Sequence, residues 1–456
     1  MSLDRHAVPE DVLRAMARGG GGEAAVAALT AAQRSRTLLL IRGVRDRAIA
    51  IGHPQADLVR RCYDLLAEIE RAAGADAVLG YPTVSSWALR ALTGLAGDAD
   101  AARRTDLGRF AGITAAAAVR AGFPAEIEVP LSGGTVLLPS LGVAVFGRAA
   151  QDAGDPATVL VRSSATGVEL AVPGERITPP SDPHRDGPGW CALPLLTAGH
   201  QGTRVGLVLD EHDPDRMPGA RLAGERLTAA DRDQWRSALD SAWEVLVTGH
   251  PEVAAEVRAL LRVLTPLAAP ADGETSVTWK DAAGAVGLST PRSAHGLALT
   301  LAHEVQHVKL NALLDIVQLT WPDDRRYYAP WREDPRPLDG LLQGAYAHLG
   351  VTAFWRRERA RQHGDLLMRA DVEFARWRTA TDRAIRTLLG SGGLTPMGET
   401  FVTEMGEVLR EWCTEPVPDQ ALARAAEAAE RHRSRWRRRV ERPRTDDPAA
   451  APPLPA

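Results

Sequence analysis

Lysine is almost missing from this 456-residue chain: Lys280 and Lys309 are the only two, and every other cationic side chain apart from histidine is an arginine. Together with the many Ala and Gly residues, this reads as a GC-rich coding bias and assigns no function. Cysteine is nearly as scarce. Cys62, Cys191 and Cys413 lie far apart with no C-x-x-C pair and no Cys/His cluster, which argues against a disulfide framework and against a cysteine zinc site. Long apolar runs are absent. Stretches such as Leu38-Leu39-Leu40-Ile41 fall far short of the roughly 20 residues that span a bilayer, so no membrane partner is expected. The opening Met1-Ser2-Leu3-Asp4-Arg5 has neither the cationic nor the apolar segment of a signal peptide, and a cytoplasmic location is expected. Net charge is also small, at −4, and no nucleic-acid partner is expected from it. Nothing in the sequence speaks to oligomeric state.

What is present is an ordinary globular composition, 45% hydrophobic and 25% charged, in a chain long enough for two or three cores. The texture predicts an α+β fold that is mainly helical. Residues 1–125 read as a helical N-terminal region, with Val26, Leu29, Leu38, Ile41 and Val44 at helical spacing. Gly19-Gly20-Gly21-Gly22 reads as a flexible connector; no Lys-Ser/Thr follows to make it a phosphate loop. Residues 126–216 change to short β-rich runs such as Thr135-Val136-Leu137-Leu138, punctuated by Gly and Pro, and predict a small antiparallel β region. Asp210, Glu211, Asp213 and Asp215 lack calcium-loop spacing and read as an acidic turn. Residues 217–415 return to helix, with Thr228 as an N-cap and further helices from Ser293 to Leu319, from Leu338 to about 361, and at about 365–390 and 395–413. Residues 416–456 form a basic helix and a Pro/Ala-rich tail; the arginines from Arg431 to Arg439 read as a solvated helix end.

The helix predicted from Ser293 carries His303-Glu304-Val305-Gln306-His307, an H-E-x-x-H pattern. Residues four apart share one helix face, so both imidazoles can reach one metal ion. A chance match is expected in only roughly a few per hundred chains of this length. Metal sites that do chemistry usually have three protein ligands. The three-histidine protease extension fails here, because its Gly and His positions are Leu310 and Leu313. The helix from Leu338 offers His348, in the small-residue stretch Gly344-Ala345-Tyr346-Ala347-His348-Leu349-Gly350, where two helices can approach closely. His348 is therefore the candidate third ligand, with Asp315 or Asp339 as the carboxylate alternatives. Glu304 is the candidate catalytic residue: a general base in a hydrolase, or a group that orients a ligand in another chemistry. Between these helices, Pro330-Trp331-Arg332-Glu333-Asp334-Pro335-Arg336-Pro337 sets two arginines beside aromatics. Arg332 and Arg336 suit a carboxylate co-substrate through paired hydrogen bonds, and equally suit internal pairing with Glu333 or Asp334.

The run from Ala302 to Leu310, then Ala312-Leu313-Leu314-Asp315, Tyr328-Ala329-Pro330-Trp331-Arg332, Asp334-Pro335-Arg336-Pro337 and Gly340-Leu341-Leu342-Gln343-Gly344-Ala345-Tyr346-Ala347-His348, resembles the HExxH motif-containing peptide modification proteins that accompany ribosomally synthesised precursor peptides. Ala32-Gln33-Arg34-Ser35-Arg36 and Leu138-Pro139-Ser140-Leu141-Gly142 extend the resemblance, which covers about residues 8–413. It implies an Fe(II)- and 2-oxoglutarate-dependent oxygenase that uses O2 to β-hydroxylate a side chain of a precursor peptide, with iron on a variant of the two-histidine oxygenase site. The alternatives are a zinc peptidase that uses Glu304 as base, and a non-catalytic peptide-binding protein.

Overall fold

The computed structural model describes residues 6–147, 158–224, 226–271 and 273–441. The Pro/Ala-rich tail and the Gly154-Asp155-Pro156 turn lie outside the described residues. The fold is α+β and mainly helical, as the composition predicts. Seven helices come first: α1 (Glu10–Ala17), α2 (Gly22–Ala50), α3 (Ala56–Ala72), α4 (Asp76–Leu79), α5 (Pro82–Leu95), α6 (Ala99–Arg104) and α7 (Arg109–Ala121). Nine strands follow: β1 (Ala125–Pro130), β2 (Thr135–Leu138), β3 (Gly142–Val145), β4 (Thr158–Ser164), β5 (Gly167–Val172), β6 (Glu175–Ile177), β7 (Trp190–Ala192), β8 (Leu195–His200) and β9 (Thr203–Leu209). Strands β1-β4-β5-β6 make one antiparallel sheet and β2-β3-β7 another. Both share an apolar core with α3, α5 and α7, around Trp87, Phe110 and Trp190.

After β9 the chain forms α8 (Ala229–Gly249), α9 (Pro251–Leu260), β10 (Val263–Leu267), β11 (Ser276–Thr278), β12 (Ala285–Ser289), α10 (Ala294–Leu314), α11 (Leu338–Arg359), α12 (Gly364–Leu389), α13 (Pro396–Cys413) and α14 (Asp419–Glu441). Thr228 does cap α8: its hydroxyl accepts from Asp231 N while Asp231 reaches back to the cap. A third sheet, ordered β11-β12-β10-β9-β8, is built from both sides of position 216. It is mixed: β9, β10 and β12 run parallel, while β8 and β11 are antiparallel edges. The motif helix α10 packs on this sheet, and its core residues Leu297, Leu301 and Val305 join Trp235, Trp243 and Phe354 in one apolar cluster. Its other end joins a cluster with α1, α11 and α13. Being buried on both sides explains why α10 is apolar almost all round.

The Gly19–Gly22 connector is a fixed turn. Gly19, Gly21 and Gly22 have φ of 92°, 119° and 58°, the left-handed region open to glycine. Lys309 of α10, 1% exposed, donates to the carbonyls of Gly19 (3.0 Å) and Gly20 (2.7 Å) and to Glu256 of α9 (2.7 Å). One of the chain's two lysines thus pins the α1–α2 turn beneath the motif helix.

The acidic turn after β9 is a structural joint. Arg109 of α7 pairs with both Asp213 and Asp215, Arg90 of α5 with Asp215, and the Tyr81 hydroxyl donates to Asp210 at 2.7 Å. Burial, with Asp213 alongside, pushes Asp210 up to about 6. Burial, helped by Arg226, Arg216 and Arg232, pushes His212 down to about 4. His212 is therefore neutral when folded and takes a proton below about pH 6.5 when unfolded, so its contribution to stability is full above that pH and is lost as pH falls towards 4. Asp210 has the opposite slope, since its ionised form is disfavoured in the fold and protonation below about 6 relieves that cost. Relative to the parent, His212→Gln is expected to become more stable as pH falls across this window, by on the order of 2 kcal/mol. Urea unfolding of both proteins at several pH values measures the difference; a constant offset would rule out this assignment.

Candidate metal centre

Ser293 starts α10 by accepting from Gly296 N, and from there the helix carries His303, Glu304 and His307 into a cavity of about 590 Å³. Helix α11, the β11 edge, the 331–336 loop, Trp377 of α12 and the 220–221 and 267–270 segments form the rest of its walls. The Nε2 atoms of His303 and His307 face one another at 3.2 Å. Two imidazole nitrogens on one ion, each about 2.0–2.1 Å from it, stand roughly 3–3.4 Å apart, so this pair is set at the spacing of a shared ion. His307 Nδ1 donates to Gln343 Oε1 (3.0 Å), and Gln343 Nε2 in turn donates to Asn311 Oδ1 (2.6 Å). The chain of bonds fixes the tautomer, leaving the His307 Nε2 lone pair for a metal.

His348 lines the same cavity from α11, with its ring centre 5.2 Å from that of His303. Its Nδ1 donates to Gly344 O at 2.8 Å, which leaves Nε2 as its free nitrogen. The ring stacks on Trp331 (4.5 Å between centres, 15° between planes) and leans on Trp377 (4.6 Å). Burial pushes His303 down to about 4, against the pull of Glu304, and holds His348 well below the ordinary histidine range. Both rings are thus neutral near pH 7, the state a metal requires. Among the described residues, no three His, Cys, Asp or Glu side chains form a closed metal-holding group. The fit to a metal is therefore two nitrogens at ion spacing, with a third imidazole on the adjoining wall.

Glycines on α11 make this packing possible. A methyl group at Gly344 would overlap the Trp331 indole, one at Gly350 would meet Gln306 Cγ at 2.8 Å, and one at Gly340 would crowd the Arg336 guanidinium at 3.1 Å. The close approach of the two helices occurs at Gly350, while Gly344 provides the bed for the tryptophan that covers His348.

Both oxygens of Glu304 are held by strand hydroxyls: Ser276 Oγ donates to Oε1 (2.6 Å) and Thr278 Oγ1 to Oε2 (2.5 Å). Oε1 also lies 3.9 Å from His303 Nε2. Glu304 is 1% exposed yet lines the cavity, so its carboxylate is fixed beside the ion position. Arg332 and Arg336 line the cavity too, and both pair with Asp334, Arg332 Nε at 2.8 Å and Arg336 at 3.4 Å. Glu333 instead pairs with Arg435 of α14. The clamp and the internal pairing are therefore compatible: one carboxylate serves two guanidiniums. Arg221, without a carboxylate partner among the described residues, is a third cation on the wall, and among the described residues Glu304 is the only acidic one lining it. The carboxylate alternatives stand apart. Asp315 is exposed and engaged by Gln33 and Arg36, Asp339 is exposed, and neither lines the cavity.

The sequence reading had not picked out Gln343, Asn311, Ser276, Thr278, Trp377 or Arg221. Asn311 four residues past His307, one turn on along the same face, was the available signal for the first pair. The hydroxyls lie on a three-residue strand that gives no pattern. Neither family models nor curated proteins give a match to this chain.

Proposed function

We propose that the chain is an Fe(II)- and 2-oxoglutarate-dependent oxygenase that β-hydroxylates a side chain of a ribosomally synthesised precursor peptide. The observation that carries the reading is a pair of imidazoles at ion spacing that share one cavity with Arg332, Arg336 and Arg221, an excess of positive charge suited to a dicarboxylate. In the overall balance O2 is reduced, 2-oxoglutarate leaves as succinate and CO2, one oxygen atom enters a Cβ–H bond as hydroxyl and the other enters succinate. His303 and His307, with His348 as third ligand, would hold the iron, which when bound supplies the redox chemistry of O2 activation. Arg336, buried against Gly340, and Arg332 bind the distal carboxylate of 2-oxoglutarate. Gln343 orients His307. Trp331 and Trp377 exclude water from His348, and Glu304, held by Ser276 and Thr278, keeps a carboxylate beside His303.

Arg336→Ala is expected to raise the 2-oxoglutarate concentration needed for half-maximal turnover about 10–100-fold, the loss of a charge-assisted hydrogen bond, with metal content unchanged. An unchanged requirement in both Arg336→Ala and Arg332→Ala would remove the clamp. The function itself is tested by supplying iron, 2-oxoglutarate, labelled O2 and a precursor peptide, and weighing the peptide: one labelled oxygen atom per turnover is expected.

A second reading, a zinc peptidase, is favoured by one observation: the Glu304 carboxylate is fixed beside His303, where a base for water would stand. Peptide cleavage by the zinc form, abolished in Glu304→Gln, would decide for it.

A further inference from the structure

The basic segment of α14 is not merely a solvated helix end. The helix lies on α12, burying Ala421, Ala425 and His432. Its small residues Ala425, Ala426 and Ala429 recur on one face and leave a cavity of about 320 Å³ against α12 and the loop at Tyr328. Arg376 and Arg383 from α12 and Arg433 from α14 line this space, and among the described residues no carboxylate does. Arg376 and Arg433 reach acids only at 3.7 Å on their own helices, at Glu373 and Glu430. Arg383 pairs with no carboxylate among the described residues; its guanidinium lies 5.1 Å from the Tyr328 ring centre. Three guanidiniums around one space repel unless an anion sits among them.

A second observation is independent of the arginines. His432 is 6% exposed, and its Nδ1 is bonded to the Tyr328 hydroxyl at 2.9 Å. With that hydroxyl donating, the ring proton sits on Nε2. This Nε2 is buried and has no hydrogen-bond partner. A buried donor without an acceptor is costly, and His432 lines the same cavity as the arginines.

We propose that this cavity binds a compact oxyanion, phosphate or a small carboxylate, between Arg376, Arg383 and Arg433, with His432 Nε2 as the hydrogen-bond donor and the Tyr328 hydroxyl fixing that ring's tautomer. Tyr328 stands three residues before Trp331, so the anion sits behind the wall of the metal cavity while sharing no guanidinium with it. The proposal does not depend on the metal or on the reaction.

Calorimetric titration of the full chain with inorganic phosphate and, separately, succinate tests it. One saturable site per chain is expected for one of the two. Arg383→Gln should weaken it about tenfold or more, and Arg438→Gln, on the exposed side of α14, should leave it unchanged. Ala429→Glu places a carboxylate beside the guanidiniums and is expected to abolish anion binding while raising the melting temperature, which keeps the test informative if Arg383→Gln fails to fold. No saturable binding of either anion, equal binding in the parent and both site variants, or an equal loss in Arg438→Gln would overturn the proposal.

Discussion

His307→Ala is expected to abolish metal binding at the proposed centre. The variant is expected to bind Fe(II) or Zn(II) more weakly by well over the 100-fold that removal of a supporting residue costs, and to have no turnover. The reason is the His303–His307 pair: at 3.2 Å between Nε2 atoms these two nitrogens are already placed for one ion, and deleting either leaves no two nitrogens at that spacing. His303→Ala should match it. His348→Ala leaves the pair intact and should retain weakened binding. Gln343→Leu frees the His307 ring without removing it and is expected to cost about 10–100-fold in metal affinity. Metal content after desalting, with circular dichroism to verify the fold, orders the four variants. Full occupancy in His307→Ala would remove the site.

The second large effect is on stability. Lys309→Met keeps the volume of the side chain and removes its charge, leaving Glu256 buried without its partner and the carbonyls of Gly19 and Gly20 without their donor. Breaking a buried pair from one side costs about 3–5 kcal/mol. Burial already pulls Lys309 below the ordinary lysine range and Glu256 above the ordinary carboxylate range, so both charges depend on one another. The deficit should shrink at low pH, where Glu256 takes up a proton. Adding Glu256→Leu should recover much of it, because an apolar replacement of the whole pair is often neutral. Urea unfolding of the single and double variants measures this; a loss below about 1 kcal/mol in Lys309→Met would show that the pair does not secure the turn.

The helices of this fold were legible in the sequence because they are long and marked at their ends. Thr228 announces α8, and the helix predicted from Ser293 is α10, although it ends at Leu314 and not at Leu319. Strands β10, β11 and β12 were not legible. Val263–Leu267 and Ala285–Ser289 are buried at every position, so no alternation marks them, and Pro266 lies within the first. Ser276–Thr278 is three residues long. The hydroxyls that fix Glu304 therefore stayed hidden although Glu304 did not. The glycines of α11 were legible as a close approach, but which neighbour each one admits is a matter of tertiary packing. Nor could spacing separate a guanidinium clamp from internal pairing, since Asp334 permits both.

The measurement that bears most directly on the proposed chemistry needs no peptide. Fe(II)-loaded protein is titrated anaerobically with 2-oxoglutarate while its visible spectrum is followed. A saturable charge-transfer band is expected, absent in His307→Ala and shifted to higher 2-oxoglutarate in Arg336→Ala. A parent protein that holds iron yet develops no band and binds no 2-oxoglutarate would contradict the oxygenase reading and leave the zinc peptidase as the better one.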